Sequence, residues 1–324
     1  MLKINPKINN SPAFKGGLNN KTVLKGLEFI SEHSTSFQAG VAFASAMALR
    51  PFVISKIPNT KKENKNYLSA NSVASGVIKL GIVEAIAIPI ENAIKKIDKN
   101  PKEYLKKETI ETLSEGASEL AISKDYKFIT QAIKSGANFL SAIPKSVLTV
   151  ALLPVVMDKF FNKKEKVKKD NISFKGKIEN TIAKGIGGVL NNQKVQNFAQ
   201  KNSHNATNIA RNTAIATDLA LACVYSHQIK KSKKIDEKKK HVLIANEYIS
   251  TATCIVAGAG IDEIVKKQSK GLIEKFKEAN KNDPKILKYI EGINILRPTI
   301  IFALIYYGVL PFVSGYFADK AEKE

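Results

Sequence analysis

Tryptophan is absent from these 324 residues, arginine occurs only as Arg50, Arg211 and Arg297, and cysteine only as Cys223 and Cys254. Two cysteines cannot make a disulfide scaffold, and with no partners at metal-ligand spacing they do not read as a zinc site. Few arginines mean few planar, bidentate forks of the kind that read bases or clamp phosphates, so sequence-specific nucleic-acid recognition is disfavoured. The four histidines, His33, His204, His227 and His241, form no H-E-x-x-H pair, and Gly185 to Gly188 lack the Lys-Ser/Thr of a phosphate loop. No serine stands in a nucleophile elbow. Ser203-His204 and Ser226-His227 are neighbours in sequence only, whereas a triad needs spatial geometry. These absences predict no enzyme, no metal and no cofactor. The opening MLKINPKINNSPAFKGG has no continuous apolar stretch, so export through a secretory signal is not expected.

What is abundant is lysine and apolar surface. Lysine and arginine number 51 against 29 acids, a net charge of +22, and 44% of residues are apolar. That composition supports a large core in one or two domains. The lysine excess permits diffuse attraction to an anionic lipid surface or, non-specifically, to nucleic acid.

The chain repeats itself in order. Phe14-Lys15-Gly16 returns as Phe174-Lys175-Gly176; Thr60 to Asn71 resembles Ser232 to Asn246; Glu91 to Lys96 (ENAIKK) resembles Asp262 to Lys267 (DEIVKK); and Ser141 to Lys159 resembles Asn294 to Lys320. The ordered matches predict an internal duplication, with an acidic insertion near 100 to 125 in the first copy alone. The expected organisation is a polar leader 1–17, a first helical repeat 18–160, a basic linker 161–176 and a second repeat 177–324. Each repeat opens with an amphipathic helix, as in Leu18 to Glu32 where Val23, Leu27 and Ile30 share a face. In the insertion, Asn100 and Pro101 read as a helix start, with Ile110, Leu113, Ala117 and Leu120 as one stripe.

Three apolar segments follow in each repeat: Phe37 to Ile57, Ser72 to Ile94 and Phe128 to Met157, then Thr207 to Ile229, His241 to Val265 and Ile286 to Phe317. Strand periodicity and hairpin dipeptides are scarce, so the fold class is all-α. Pro298 to Ala318 runs 21 residues without a charge, long enough to span a bilayer, although Tyr306 and Tyr307 sit mid-segment. The other segments carry Arg50, Lys79, Glu84, Lys145, Arg211, Asp218 or Glu247. In a membrane such charges must pair, face a cavity or lie near the interface. A serpentine of six spans places the lysine clusters of Lys159 to Lys169 and Lys230 to Lys240 on opposite sides, giving no orientation. Pro51, Pro89, Pro144, Pro154, Pro298 and Pro311 also allow some segments to be hairpins that enter and leave one leaflet.

The candidate polar site is Glu84 and Glu91, seven apart on one helix face, with Asp262 as the second-copy counterpart; the competing reading is a helix end in water with ordinary ion pairs. The candidate contacts to an anionic surface are Lys159, Lys163, Lys164, Lys166, Lys168 and Lys169, interleaved with Phe160 and Phe161. The leader ending in PAFKG, the recurrence SFKGK and the closing RPTIIFALIYYGVLPFVSGYFADK resemble uncharacterised helical proteins of gut-dwelling, non-photosynthetic relatives of cyanobacteria. The resemblance implies a helical bacterial protein and carries no activity or cofactor with it. The expectation is a membrane-associated protein of structural, binding or transport role in a bacterial inner membrane, against the lipid bilayer. The alternative is a soluble, cytoplasmic basic scaffold for nucleic acid or an acidic protein.

Overall fold

A computed structural model describes residues 19–58, 62–114, 117–140, 177–231 and 237–313. All regular structure in them is helical: α1 (Lys21–Glu32), α2 (Ser34–Lys56), α3 (Lys62–Lys99), the short α4 (Pro101–Tyr104) and α5 (Lys107–Leu113), α6 (124–140), α7 (Lys177–Leu190), α8 (Gln193–Asn202), α9 (Ile209–Lys231), α10 (Glu237–Ala279) and α11 (Ile286–Val313). The amphipathic helix starts at Lys21 because Asn20 caps it, its side-chain oxygen accepting the Thr22 and Val23 amides; Leu18 lies outside the described residues. Asn100 makes no such bond, and the expected single stripe is broken: α5 ends at Leu113 and Leu120 lies in a separate 3-10 turn. Leu113 and Leu120 nevertheless both reach the core.

The helices α2, α6, α9 and α11 start at one end, where Thr35, Tyr126, Arg211 and Arg297 meet the last turns of α3 and the middle of α10. At the other end the Lys240 ammonium donates to the Lys230 carbonyl and Lys65 to the Ser55 carbonyl. At its start α9 lies beside α2 and α11, where Ala210 packs with Phe37 and Ile295. The Lys159 to Lys169 cluster lies outside the described residues.

Small side chains bring α2 against α3. Ala39 packs with Val83 and Ala87, and Gly76 comes so close that a Cβ there meets Ala46 Cβ at 2.7 Å. Pro51, Pro89 and Pro298 lie inside continuous helices, so the hairpin expectation fails at those positions. Two π-turns show how a helix passes proline. Ser45–Leu49 and Ile305–Val309 each end two residues before the sequence Pro-Phe-Val, at Pro51 and Pro311. The wider turn frees the carbonyl that a proline ring strikes in an α-helix.

Two helices are exchanged along the chain: α1 covers helices from its C-terminal part and α7 covers helices from its N-terminal part. Leu27 of α1 packs with Phe276 of α10 and Tyr289 of α11. Reciprocally, Ala183, Ile186 and Leu190 of α7 pack with Ile94 and Ile97 of α3 and with Tyr126, Phe128 and Ile129 of α6. Gly292 lets α11 touch the backbone of α1, since any Cβ there collides with the Leu27 carbonyl.

Candidate functional site

The predicted carboxylates fall into two clusters. Glu91, 2% exposed, sits at the start of α2, where its Oε1 accepts the Thr35 amide at 2.9 Å and the Ser36 amide at 3.1 Å. Its Oε2 accepts the Ser36 hydroxyl at 2.8 Å, and His33 Nδ1 lies 3.3 Å away. A carboxylate from another helix thus satisfies the orphan amides and positive end of α2, whose own N-cap residue, His33, makes no capping bond to them. Glu84, one face of two turns earlier on α3, is half-buried and interacts with the same Ser36 and His33.

Asp262 is wholly buried on α10. Arg297 approaches it as a fork, Nε to Oδ1 at 2.7 Å and Nη2 to Oδ2 at 3.4 Å, and Arg211 Nη1 reaches Oδ2 at 3.4 Å and Glu263 at 3.0 Å. The bidentate geometry and second guanidinium compensate the desolvated charge. Glu91 and Asp262 therefore do not stand in water at helix ends; Glu84 shares the Glu91 cluster, while Asp262 lies in a separate one.

The same end carries a lattice of ion pairs tying α1 to both halves. Glu32 accepts Lys288 at 2.8 Å and Lys95 at 3.1 Å. Burial pushes its carboxyl upward, but the bonds and charges of Lys288 and then Lys95 outweigh this and hold the pKa at about 2. Lys127 of α6 meets Glu291 of α11 at 2.9 Å; burial lowers the ammonium's pKa despite the opposing pull of Glu291. Tyr126 donates to Asp98 at 2.6 Å, and burial followed by that negative charge raises its phenol far above the usual range.

Below this lattice lies a cavity of about 140 Å³ to which all the long helices contribute: Gln38 and Ala42 from α2, Lys79 from α3, Asn138 from α6, Thr217 and Asp218 from α9, Cys254 from α10, and Phe302, Tyr306 and Tyr307 from α11. Asp218 hydrogen-bonds the Cys254 thiol, and the charge of Lys79 acts on that same sulfur, so the two charged groups face one small space. No hydrogen bond or ion pair holds the Lys79 ammonium among the described residues, and Thr217 Oγ1 is buried without a partner there. The π-turn at Ile305–Val309 presents Tyr306 and Tyr307 to the cavity, with the Arg50 guanidinium 5.5 Å above the Tyr306 ring. Sequence reasoning marked Lys79, Asp218 and the mid-segment tyrosines as out of place in apolar stretches, which was the available signal, but did not join them into a site. No group of three or more metal-ligating side chains occurs among the described residues. No protein family, curated protein or solved structure matches this chain.

Proposed function

We propose that this chain is an integral membrane protein of binding or transport type, built from two duplicated halves around a small charged cavity, with no catalytic role. The observation that carries the reading is an inversion of the soluble pattern. Four helices, Ser34–Lys56, Leu68–Lys99, Glu247–Ala279 and Ile286–Val313, are long and apolar enough to cross a membrane, yet only 22% to 44% of the residues in their apolar stretches are buried. Phe52, Val77, Ile88, Val256, Ile264, Leu304 and Val309 point outward on them, while Lys79 and Asp218 face inward. A water-soluble domain rarely leaves so extended an apolar surface uncovered. In a bilayer the arrangement is the natural one, because charges inside a membrane line cavities or pair.

The duplication has two supports beyond the ordered sequence matches. Each half's amphipathic helix covers the other half's long helices. The matched acids Glu91 and Asp262 both reach the first turn of the first long helix of their own half, α2 and α9. Lys56 and Lys65 stand at the turn between α2 and α3, and Lys230, Lys231 and Lys240 at the turn between α9 and α10; beside an anionic leaflet lysines gain about 1 kcal/mol each. Lys159 to Lys169 belong to the same proposed contact with lipid, in a bacterial inner membrane.

Washing membranes that contain the full chain with alkaline carbonate tests the reading. The protein is expected to stay in the pellet. Quantitative release into the supernatant refutes integral insertion, and release by salt alone assigns a peripheral, electrostatic attachment instead.

A further inference from the structure

We propose that the polar seam between α2 and α6 is a hydrated entry path from the ion-pair lattice to the central cavity, serving a small uncharged or anionic solute and closed in this structure by one layer of hydrogen bonds. The inference rests on the membrane-protein reading and assigns the cavity its route of access.

Lys127, Gln131, Lys134 and Asn138 recur at i, i+4, i+7 and i+11, so they share one face of α6. The opposite edge is equally polar, with Ser31 at the end of α1 and Ser34, Thr35 and Gln38 on α2. The two sets bond in order. At the top Lys127 meets Glu291, which also accepts the Ser31 hydroxyl. In the next layer Ser34 donates to Gln131 Oε1 at 3.0 Å, Gln131 Nε2 donates to the Ser31 carbonyl at 3.1 Å and Thr35 donates to the Lys134 carbonyl at 2.7 Å. Below it Asn138 donates to Gln38 at 2.9 Å. The apolar residues of α6, Phe128 and Ile129, belong to the core that α6 shares with α7.

Helix adhesion alone does not call for this much polarity. Interhelical polar bonds in a membrane yield about 0.6–2 kcal/mol each, so one or two suffice. A lysine inside the membrane costs about 2.5–3.5 kcal/mol on insertion scales, yet Lys134 is only 7% exposed and its ammonium donates to the Ser31 carbonyl at 3.0 Å. Inward polar faces of this kind mark aqueous routes in membrane proteins.

Both ends of the seam open into space. A cavity of about 20 Å³ at the lattice is lined by Ser31, Lys127, Thr130, Lys134 and Glu291, larger than the ~10–15 Å³ that one water needs. The central cavity of about 140 Å³ is lined by Gln38 and Asn138. On α6 the two are separated only by the step from Lys134 to Asn138, one turn or about 6 Å along the axis. The layer of Ser34, Thr35 and Gln131 fills that step, and the Lys127–Glu291 pair latches α6 to α11 above it.

At the mouth four ammoniums, Lys95, Lys127, Lys134 and Lys288, stand with three carboxylates, Glu32, Asp98 and Glu291. Lys134 is the innermost of them along α6, and a positive group there repels cations. The hydroxyls and amides beneath it bond an uncharged polar solute or an anion equally well.

The experiment reconstitutes the full chain, with Cys223→Ser and Cys254→Ser, into liposomes and measures modification of single cysteines by impermeant anionic and cationic methanethiosulfonates, each rate divided by that with a free thiol. Gln38→Cys and Asn138→Cys report the seam. Ala42→Cys lines the same cavity, leaves every seam bond in place and carries the test where those two do not fold. Val77→Cys and Val256→Cys, at positions 50% and 74% exposed, are the lipid-facing controls. The seam positions are expected to react about tenfold faster than the controls, and Glu291→Gln, or Lys127→Gln where that fails to fold, to accelerate them about tenfold again, the equivalent of ~1.4 kcal/mol taken from the closed state. The anionic reagent is expected to outpace the cationic one, and Lys134→Gln to remove the difference. Seam positions as silent as the controls, with the latch intact and broken, overturn the path while the membrane reading stands. Controls that react as fast as the seam place those faces in water and overturn the membrane reading itself. Faster reaction with the cationic reagent overturns the solute class.

Discussion

Replacing Asp262 by Asn tests whether the arginine cluster at the junction of α9, α10 and α11 holds the second half together. The carboxylate is fully buried and accepts a fork from Arg297 at 2.7 and 3.4 Å plus Arg211 at 3.4 Å. Asparagine keeps the shape and removes the charge, stranding a guanidinium that is itself only 9% exposed. Breaking a buried pair from one side costs about 3–5 kcal/mol, and at ~2–4 °C per kcal/mol for a large domain the midpoint should fall by ~6–20 °C. Because tryptophan is absent, helical circular dichroism of the detergent-solubilised chain is the direct readout. A second variant separates the pair from general disruption. In Asp262→Leu combined with Arg297→Met both desolvated charges go, while Arg211 retains Glu263 at 3.0 Å; since apolar replacement of a whole buried pair is often neutral, the double variant should regain more than half of the loss. A midpoint for Asp262→Asn within ~2 °C of the parent, or a double variant no better than the single, would refute the reasoning.

Glu91→Ala should cost about 1.5–3 kcal/mol, as for hydrogen bonds to a charged group, and hydrogen exchange should accelerate at the Thr35 and Ser36 amides that Glu91 holds. Gly292→Ala should cost about 1–3 kcal/mol by overpacking, because the methyl group meets the Leu27 carbonyl; thermal melts and proteolysis in α1 report it. Glu32, held at about 2 against an ordinary 4.5, contributes stability that is complete above about 4.5 and is lost as pH falls toward 2. Acid titration of Glu32→Gln should therefore show a shallower decline across that window than the parent chain.

Much of the helical plan could be read from composition and periodicity, because apolar runs without strand alternation leave few alternatives. Asp262 and Glu91 stood out for the same reason, as carboxylates where apolar residues were due. Their partners did not, since Arg211 and Arg297 lie 51 and 35 positions from Asp262 and sequence spacing says nothing about such distances. The prolines misled: Pro51 and Pro311 read as break points, whereas a π-turn carries the helix past each. The cavity is a property of helix packing, so Lys79 and Asp218 could be flagged as needing a partner or a cavity but not joined. The exchange of α1 and α7 was invisible for a related reason. An amphipathic stripe announces that a helix will be covered without saying by which neighbour.

That exchange has a consequence for biogenesis. A ribosome adding roughly 5–20 residues per second releases Ile97 of α3 about 5–20 s before Leu190 of α7, its eventual cover, exists. Leu27 waits longer still, until Tyr289 has been made. On the membrane reading proposed above, each half of the chain enters the bilayer with an apolar face open and is closed only by a piece of the other. A message truncated after α6 yields a fragment that has supplied its own lid to a partner never synthesised and has received none in return, the sort of orphan that membrane quality-control proteases remove. Expressed together as separate chains, the two halves should protect one another from that fate.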